Sequence, residues 1–434
     1  MNAQVGPMIV AVVIVVAVFS ATWRNRVGRL SAVIQGAAAI LAAGMIFGFY
    51  GPAQAVRSIN TSTLILLLDM GILSAVLEEA GFFSLTARRL VKLTGHSSTR
   101  ALVLSCLFTY LVSMWVNNLT TIMVIVPMTL KLAERLQLDP RPLVISEIIS
   151  SNLGGASSMV GDFPNMLISS SVGLSFTTFL GRMMPPCLVL LGVLFFLMRR
   201  AARTDTCAGL APVEENDISG IDLGAIGRAL TVFAVEVVAY FFEDRLQMSP
   251  ATTSIFGAFF LFFFGGVSRM AILKRVGYKD LLFFSALFVL VGGVSASGVL
   301  RLAAGAVGDL AGGSQILQCV LLMWLAAVVT AFLNAGPATA LMLPIFLHTR
   351  PGPPHHLLWW ALSLGVCAGS SATLIGATAG PVAASMVEKH FEKLSRLSSS
   401  RFALTSRNYA YLGVPVSLVF LLVSSAYILI VYVS

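Results

Sequence analysis

The chain has 434 residues, of which 57% are hydrophobic and only 11% are charged. A soluble domain carries about a quarter charged residues, so this composition excludes a water-soluble globular protein. The apolar stretches continue for about 20 residues without alternation, the length of a helix that crosses the hydrocarbon core of a bilayer. Since only helices and closed barrels satisfy every backbone polar group in lipid, the sequence predicts an all-α polytopic membrane protein.

Charged residues, prolines and glycines separate the apolar stretches and predict about ten transmembrane helices. The approximate bounds of these helices are 7–22, 30–49, 60–80, 142–172, 180–198, 224–242, 250–268, 280–300, 356–387 and 408–433. Two further apolar segments, 101–130 and 315–347, are too long for one simple span, and polar or helix-breaking residues interrupt each near its middle. We predict that both are re-entrant hairpins, which enter and leave the membrane on the same side.

The formal net charge of +9 could indicate nucleic-acid binding, but in a membrane protein it is typical of the positive-inside bias. With the N-terminus outside, all but five of the 28 Lys and Arg residues fall in predicted inside loops. These loops are 22–30, 88–100, 131–141, 199–228, 269–279 and 389–407. We therefore predict a multi-pass inner-membrane protein with both termini outside and no nucleic-acid partner.

An internal sequence repeat agrees with this predicted membrane topology. The spacing from Asn117 to Pro127 recurs from Asn334 to Pro344, at an offset of 217, and 154–161 resembles 369–376 at an offset of 215. Each half then has five crossings and one hairpin, and an odd number of crossings gives the halves opposite orientation. The sequence thus predicts two inverted-topology repeats, as in secondary transporters with a site at the repeat interface. The predicted units are repeat 1–198, cytosolic linker 199–223 and repeat 224–434.

Four polar interruptions lie inside otherwise apolar segments and are the predicted substrate site. They are the hairpin tips Asn117–Thr121 and Asn334–Thr339, and the helix breaks Ser150–Asn165 and Gly369–Gly380. Irregular backbone at membrane depth is tolerated only where protein or a water-filled cavity satisfies it. Tight helix packing of small residues is the alternative explanation for any one break. Four breaks paired by the repeat favour a substrate site.

Asp162 is the carboxylate that we expect to carry protons or to bind a cation, because a charge at this depth is costly. The alternative is a structural role, since Asp two residues before Pro is a good helix N-cap. Asp69 is a second candidate for proton coupling, with Glu147 and Glu236 behind it. Glu147 is expected near the inner end of its helix, within reach of water.

The cysteines and histidines are weaker candidates for a binding role. Cys367 lies opposite Asn152 in the repeat and could meet a thiophilic ligand, although a lone Cys in an apolar helix is usually a packing residue. All five histidines are in or beside predicted loops. Metal-ligand spacing, nucleotide-binding loops and nucleophile motifs are absent from the sequence, so we predict no metal site, no cofactor and no enzymatic activity.

The first half closely resembles the arsenite permease and sodium–proton antiporter group of the ion transporter superfamily, which includes the melanosomal P-protein-like permeases. The resemblance is carried by Asn117-Asn118-Leu119-Thr120-Thr121, by Leu136-Gln137-Leu138-Asp139-Pro140, and by Ser151-Asn152-Leu153-Gly154-Gly155 followed by Gly161-Asp162-Phe163-Pro164-Asn165. It implies a substrate region in the first half made of Asn117, Asn118, Thr120, Thr121, Gly154, Gly155, Ser157, Ser158, Asp162 and Asn165. The repeat adds Asn334, Thr339, Ser370, Ser371 and Thr373 from the second half.

The second half departs from the group's pattern. Many relatives have an Asp or Asn pair at the tip of the second hairpin, where this chain has Asn334-Ala335-Gly336. They also have a Gly-Asn-Gly-Thr stretch where this chain has Ser370-Ser371-Ala372-Thr373. Several cation-binding oxygens are therefore missing, which argues against a sodium site in this half.

The resemblance and the polar, nearly uncharged lining favour proton-coupled efflux of arsenite or antimonite, since arsenous acid is a small neutral triol. Sodium–proton antiport is the alternative. A dicarboxylate or other anion carrier ranks lower, because no Lys or Arg lies near the breaks in the sequence. A channel would also use hairpins, but paired breaks with a buried acid favour alternating access. The resemblance also implies a possible partnership with a soluble arsenite-stimulated ATPase subunit.

Overall fold

A computed structural model describes residues 2–23, 28–94, 97–136, 138–201, 221–349, 356–394 and 403–433. These residues fold almost entirely into helices. In the first half the helices are α1 (Asn2–Trp23), α2 (Arg29–Phe47), α3 (Pro52–Ser58), α4 (Thr61–Glu79), α5 (Phe82–Thr94), α6 (Ser98–Ser113), α7 (Asn118–Leu136), α8 (Pro140–Ser157), α9 (Phe163–Val172) and α10 (Phe176–Ala201). In the second half they are α11 (Leu223–Phe241), α12 (Glu243–Leu246), α13 (Pro250–Phe264), α14 (Arg269–Arg275), α15 (Tyr278–Ala296), α16 (Val299–Leu310), α17 (Gln315–Leu333), α18 (Ala335–His348), α19 (Leu357–Ala372), α20 (Gly380–Leu394) and α21 (Ser406–Val433).

Eight helices of the described residues are long and apolar enough to cross a membrane: α1, α2, α4, α10, α11, α15, α17 and α21. Seven of them coincide with predicted crossings, and α13 is a shorter apolar helix at an eighth. The remaining two predicted crossings, 142–172 and 356–387, are each divided into two helices. The prediction of an all-α membrane protein with about ten spans is confirmed.

Large apolar side chains cover the outside of the bundle, while polar groups are buried within it. On α13, Phe256, Phe259, Phe260, Phe263 and Phe264 are exposed, as expected for a helix that faces lipid. Asp69, Glu147, Ser150, Ser157 and other polar residues are instead fully buried. The helices thus place their polar groups toward the centre of the protein.

The order of elements recurs in the two halves. A long helix (α4 or α15), a short helix (α5 or α16), a helix pair (α6–α7 or α17–α18), a broken pair (α8–α9 or α19–α20) and a long helix (α10 or α21) follow one another each time. The preceding α1, α2 and α3 correspond in order to α11, α13 and α14, with α12 as an insertion. Most of the predicted linker 199–223 lies outside the described residues.

The halves pack into each other rather than side by side. α7 contacts α20, α9 contacts α18, and α8 contacts α19. Each of these contacts joins an element of one half to an element of the other. The hairpin tips and helix breaks are therefore brought together in the middle of the bundle.

Candidate functional site

A cavity of about 630 Å³ lies where the first-half and second-half breaks meet. Asn117 and Asp162 line it from the first half, and Asn334 and Thr378 line it from the second. The remaining lining includes Leu119, Phe163, Pro164, Phe284, Gly336, Pro337, Leu374, Ile375 and Pro381. The two polar stretches that the sequence singles out thus share one cavity.

Asp162 ends the first break and begins α9. Its Oδ1 accepts a hydrogen bond from the Phe163 backbone N–H at 2.9 Å, and its Oδ2 accepts one from Asn118 Nδ2 at 3.1 Å. Asn118 Oδ1 in turn accepts a hydrogen bond from Ser113 Oγ. Gly155 leaves room for this arrangement, because a Cβ on it would lie 2.8 Å from Asn118 Oδ1 and 2.9 Å from Asp162 Cβ. Asp162 is therefore an N-cap that also faces the cavity.

Asn165 holds the first break open. Its Nδ2 donates to the carbonyl oxygens of Gly155 at 2.8 Å and Ser158 at 3.2 Å, which the interrupted α8 leaves without helical partners. Its Oδ1 accepts a hydrogen bond at 2.7 Å from Ser363 Oγ of α19. A residue of the first break is thus bonded directly to the broken helix of the second half.

Asn334 connects the hairpin tip of the second half to the helix break of that half. Its backbone has a φ of 81° and a ψ of 154°, a strained conformation that is otherwise essentially restricted to glycine. Its Nδ2 donates to the Ile375 carbonyl at 3.1 Å, and the Ala335 N–H donates to the Gly376 carbonyl at 3.2 Å. The tip of the α17–α18 pair is therefore tied to the break between α19 and α20.

Four helices begin at this cavity. α7 begins at Asn118, α9 at Phe163, α18 at Ala335 and α20 at Gly380, and residues of the first turns of all four line the cavity. The N-terminus of a helix carries a partial positive charge and unpaired N–H groups, which favour anions. Asn117, Asp162 and Asn334 each accept one of these N–H groups with a side-chain oxygen. A ligand oxygen can take the place of such a cap.

Charged residues also line this cavity. These residues are Arg29, Lys279, Asp280 and Glu388. The prediction that no Lys or Arg lies near the breaks is wrong in space, because α2 and α15 bring the first-turn Arg29 and Lys279 from distant parts of the sequence. Arg29 and Lys279 belong to the predicted basic loops 22–30 and 269–279, so the cavity extends to the side of the bundle where those loops lie.

A second cavity of about 250 Å³ lies on the side of the bundle opposite the basic loops 22–30 and 269–279. It is lined by Ser58, Asn60, Ser171, Ser295, His348 and apolar neighbours that include Phe288. The rings of Phe163 and Phe284 stack with centroids 3.5 Å apart, and Phe288 lies 6.1 Å from Phe163. Because Phe163 and Phe284 line the large cavity, this aromatic cluster separates it from the smaller one.

The other predicted site residues lie around the cavity and do not line it. Ser157 and Tyr110 form a hydrogen bond of 2.7 Å, Ser158 donates to the Met114 carbonyl, and Thr121 is fully buried. Thr339, Ser370, Ser371 and Thr373 each donate to a backbone carbonyl. A Cβ on Gly154 would meet the Tyr110 carbonyl oxygen. Thr120 is partly buried in the first turn of α7. In this structure these residues support the breaks.

Other carboxyl groups of the described residues are buried away from the cavity, among them Asp69, Glu134, Glu147 and Glu236. Glu147 is fully buried and accepts a hydrogen bond from Thr129, so the expectation that it reaches water at the end of its helix is wrong. Asp69 faces Glu236 at the contact between α4 and α11. Glu134 of α7 is bonded to His390 of α20 at 2.6 Å, a contact between the halves that the sequence gives no reason to expect.

Comparisons with known proteins agree with this architecture. The family model CitMHS, described as a citrate transporter, matches residues 7–365. The magnetosome protein MamN of Magnetospirillum gryphiswaldense is 35% identical over 429 residues, which cover 96% of this chain and 98% of that protein. An uncharacterized transporter of Mycobacterium tuberculosis is 32% identical over 386 residues, covering 86% of this chain and 89% of that one. The mouse P protein is 27% identical over 515 residues, covering 98% of this chain and 60% of that protein.

Among solved structures, the YdaH transporter of Alcanivorax borkumensis resembles this chain with a TM-score of 0.53. The match covers 89% of this chain and 88% of that one at 14% identity, so it shows a shared fold alone. The predicted transporter class and the likeness to the P protein are confirmed, and the family consists of transporters rather than enzymes. The chain belongs to the CitMHS citrate transporter family and is a multi-pass secondary transporter.

Proposed function

We propose that this chain is a proton-coupled transporter of a small oxygen-rich anion of the di- or tricarboxylate class, with citrate as its first candidate substrate. The observation that carries the proposal is the convergence of four helix N-termini on one cavity, whose lining also includes Arg29 and Lys279 beside Asp280 and Glu388. N-termini and cations attract carboxylates. The description of the family model as a citrate transporter supports the same class.

Asp162 supplies the proton coupling in this proposal. A substrate carboxylate that reaches the α9 N-terminus must approach the Asp162 carboxyl group, which already accepts the Phe163 N–H there. Two carboxylates in one buried site cannot both remain ionised, so anion entry brings in a proton. Asn118 and Phe163 are then released to donate to the substrate.

Efflux of arsenite or antimonite is the second candidate. The amide and hydroxyl groups of Asn117, Asn334 and Thr378 in the cavity suit a neutral triol, and the first-half motifs resemble arsenite permeases. A soluble arsenite-stimulated ATPase subunit would belong to this candidate only. Sodium–proton antiport is the third candidate, and the described residues contain no group of three or more His, Cys, Asp or Glu that could hold a metal ion.

Uptake into proteoliposomes tests the substrate class. The purified protein is reconstituted, a pH gradient is imposed, and labelled citrate, arsenite and sodium are supplied in separate reactions. We expect citrate to accumulate only with the gradient, to saturate, and to be released by a protonophore. Gradient-driven flux of arsenite or sodium without flux of citrate would overturn the anion proposal.

A further inference from the structure

Asp69 and Glu236 form a buried carboxyl pair outside the cavity. Asp69 lies near the middle of α4, ten residues or about 15 Å before the last residue of that helix, Glu79. Glu236 lies on α11, and Ser254 of the adjacent α13 faces Asp69 as well. The exposed fractions of the two acids are 0% and 3%. Both carboxyl groups are thus placed deep in the bundle, facing each other.

Neither group is satisfied by its surroundings. All four carboxyl oxygens of Asp69 and Glu236 are buried and have no hydrogen-bond partner in the described structure. Tyr240 also faces the pair, and its hydroxyl is bonded to Ser254 at 2.6 Å. Arg275 of α14 is bound to Glu78 and Glu79 at the far end of α4. A proton between the two acids would give both a partner.

The corresponding place in the other half shows that helix packing does not require these acids. There, α1, α2 and α15 correspond to α11, α13 and α4. A Cβ on Gly36 of α2 would meet the Val18 side chain of α1, just as a Cβ on Gly257 of α13 would meet the Glu236 side chain of α11. The same helix contact is therefore built with valine in one half and with glutamate in the other.

We propose that Asp69 and Glu236 are a second proton-binding site, in which the two carboxyl groups share one proton that is exchanged during transport. Two carboxylates that face each other in a low-dielectric interior repel strongly, so the pair is expected to keep at least one proton. α4 also contacts α9, which Asp162 caps, so a change at the pair can be transmitted to the substrate cavity. The role in transport rests on the proposed proton coupling, whereas the presence of the shared proton does not.

Infrared spectroscopy of the purified protein tests for the shared proton directly. We expect wild-type protein at neutral pH to show a protonated carboxyl band that is lost in the double variant Asp69→Asn/Glu236→Gln. Glu78→Gln, which removes a partly exposed acid that is ion-paired with Arg275 at the end of the same α4, should leave that band unchanged. An identical protonated carboxyl band in the wild type and the double variant would overturn the proposal.

Transport measurements separate a coupling role from a structural one. Glu236→Val, which repeats the packing that Val18 provides in the other half, should fold and should unfold within a few degrees of wild type. In proteoliposomes that take up labelled citrate, we expect Glu236→Gln to reduce the number of protons moved per citrate while citrate still binds. An unchanged ratio would show that the pair takes no part in coupling. Wild-type protein that shows the infrared band but transports no citrate would overturn the proposed substrate and leave the shared proton in place.

Discussion

Asp162 combines a structural and a chemical role in one side chain. It caps α9 through the Phe163 N–H, is bonded by Asn118, and faces the large cavity. Asparagine is as good an N-cap as aspartate but cannot hold a titrating proton. We therefore expect Asp162→Asn to fold normally and to lose gradient-driven uptake down to the level of empty liposomes.

Asp222 offers a matched control for this substitution. It caps α11 by accepting the Ala225 N–H at 2.9 Å, but it does not line the cavity. Asp222→Asn should retain uptake and thermal stability. Coupled uptake by Asp162→Asn at the wild-type rate would remove Asp162 from the mechanism.

Gly154 of α8 and Gly71 of α4 differ in the space that is available for an added side chain. A Cβ on Gly154 would collide with the backbone carbonyl of Tyr110, whereas a Cβ on Gly71 has open space. Overpacking a well-packed core costs about 1–3 kcal/mol, and alanine is a better helix former than glycine by about 1 kcal/mol. We expect Gly154→Ala to lower the melting temperature in a thermal-shift assay and Gly71→Ala to leave it unchanged or raise it.

For individual residues, the sequence identifies the buried carboxylates and the hairpin tips, but it does not identify the side chains that these residues contact. Asn117, Asp162 and Asn334 are predictable because polar residues interrupt apolar segments. Arg29, Lys279 and Glu388 lie in ordinary loop or interface positions of the sequence, and only helix packing brings them to the cavity. The pairing of Glu134 with His390 is equally invisible, because these residues are 256 positions apart.

The broken helices are the elements that the sequence predicts best. Proline, glycine and capping residues mark the breaks, and the structure ends α8 at Ser157 and α19 at Ala372. The separation of the two cavities by an aromatic cluster is not predictable, because Phe163 and Phe284 look like ordinary apolar residues in their segments. Their stacking depends on how α9 and α15 pack.

The stacked pair Phe163 and Phe284 separates the two cavities and is expected to limit leakage between them. Removing one ring opens space between the large cavity and the smaller one that Phe288 lines. We expect Phe163→Ala to raise the passive proton permeability of proteoliposomes and to weaken coupled uptake. Phe259→Ala, which removes a ring that is 51% exposed on α13, should change neither. Tight liposomes with Phe163→Ala would contradict a barrier role for this pair.

For the whole molecule, we propose that the two halves are inverted repeats and that this conformation opens its substrate cavity to the cytosol. The recurring element order supports the repeat, and the lining residues Arg29 and Lys279, which belong to basic loops, support the orientation under the positive-inside rule. Composition and the length of the apolar stretches are enough to predict a helical multi-pass membrane protein. They cannot predict which side the cavity faces, since both states of a transporter share one sequence.

Cysteine labelling in intact cells and in inverted vesicles tests this orientation. The cysteines of the described residues are buried, which keeps the background low. We expect Ser385→Cys in the large cavity to react with an impermeant maleimide only in inverted vesicles. Ser171→Cys in the smaller cavity should react only in intact cells. The opposite pattern would contradict the proposed orientation.

The central claim is that the breaks of both halves form one substrate site. A cryo-electron microscopy structure with the transported solute bound tests it most directly. We predict density for the solute in the large cavity, in contact with Asn117 or Asp162 from one half and with Asn334 or Thr378 from the other. Density that contacts only one break, or that lies outside this cavity, would contradict the account.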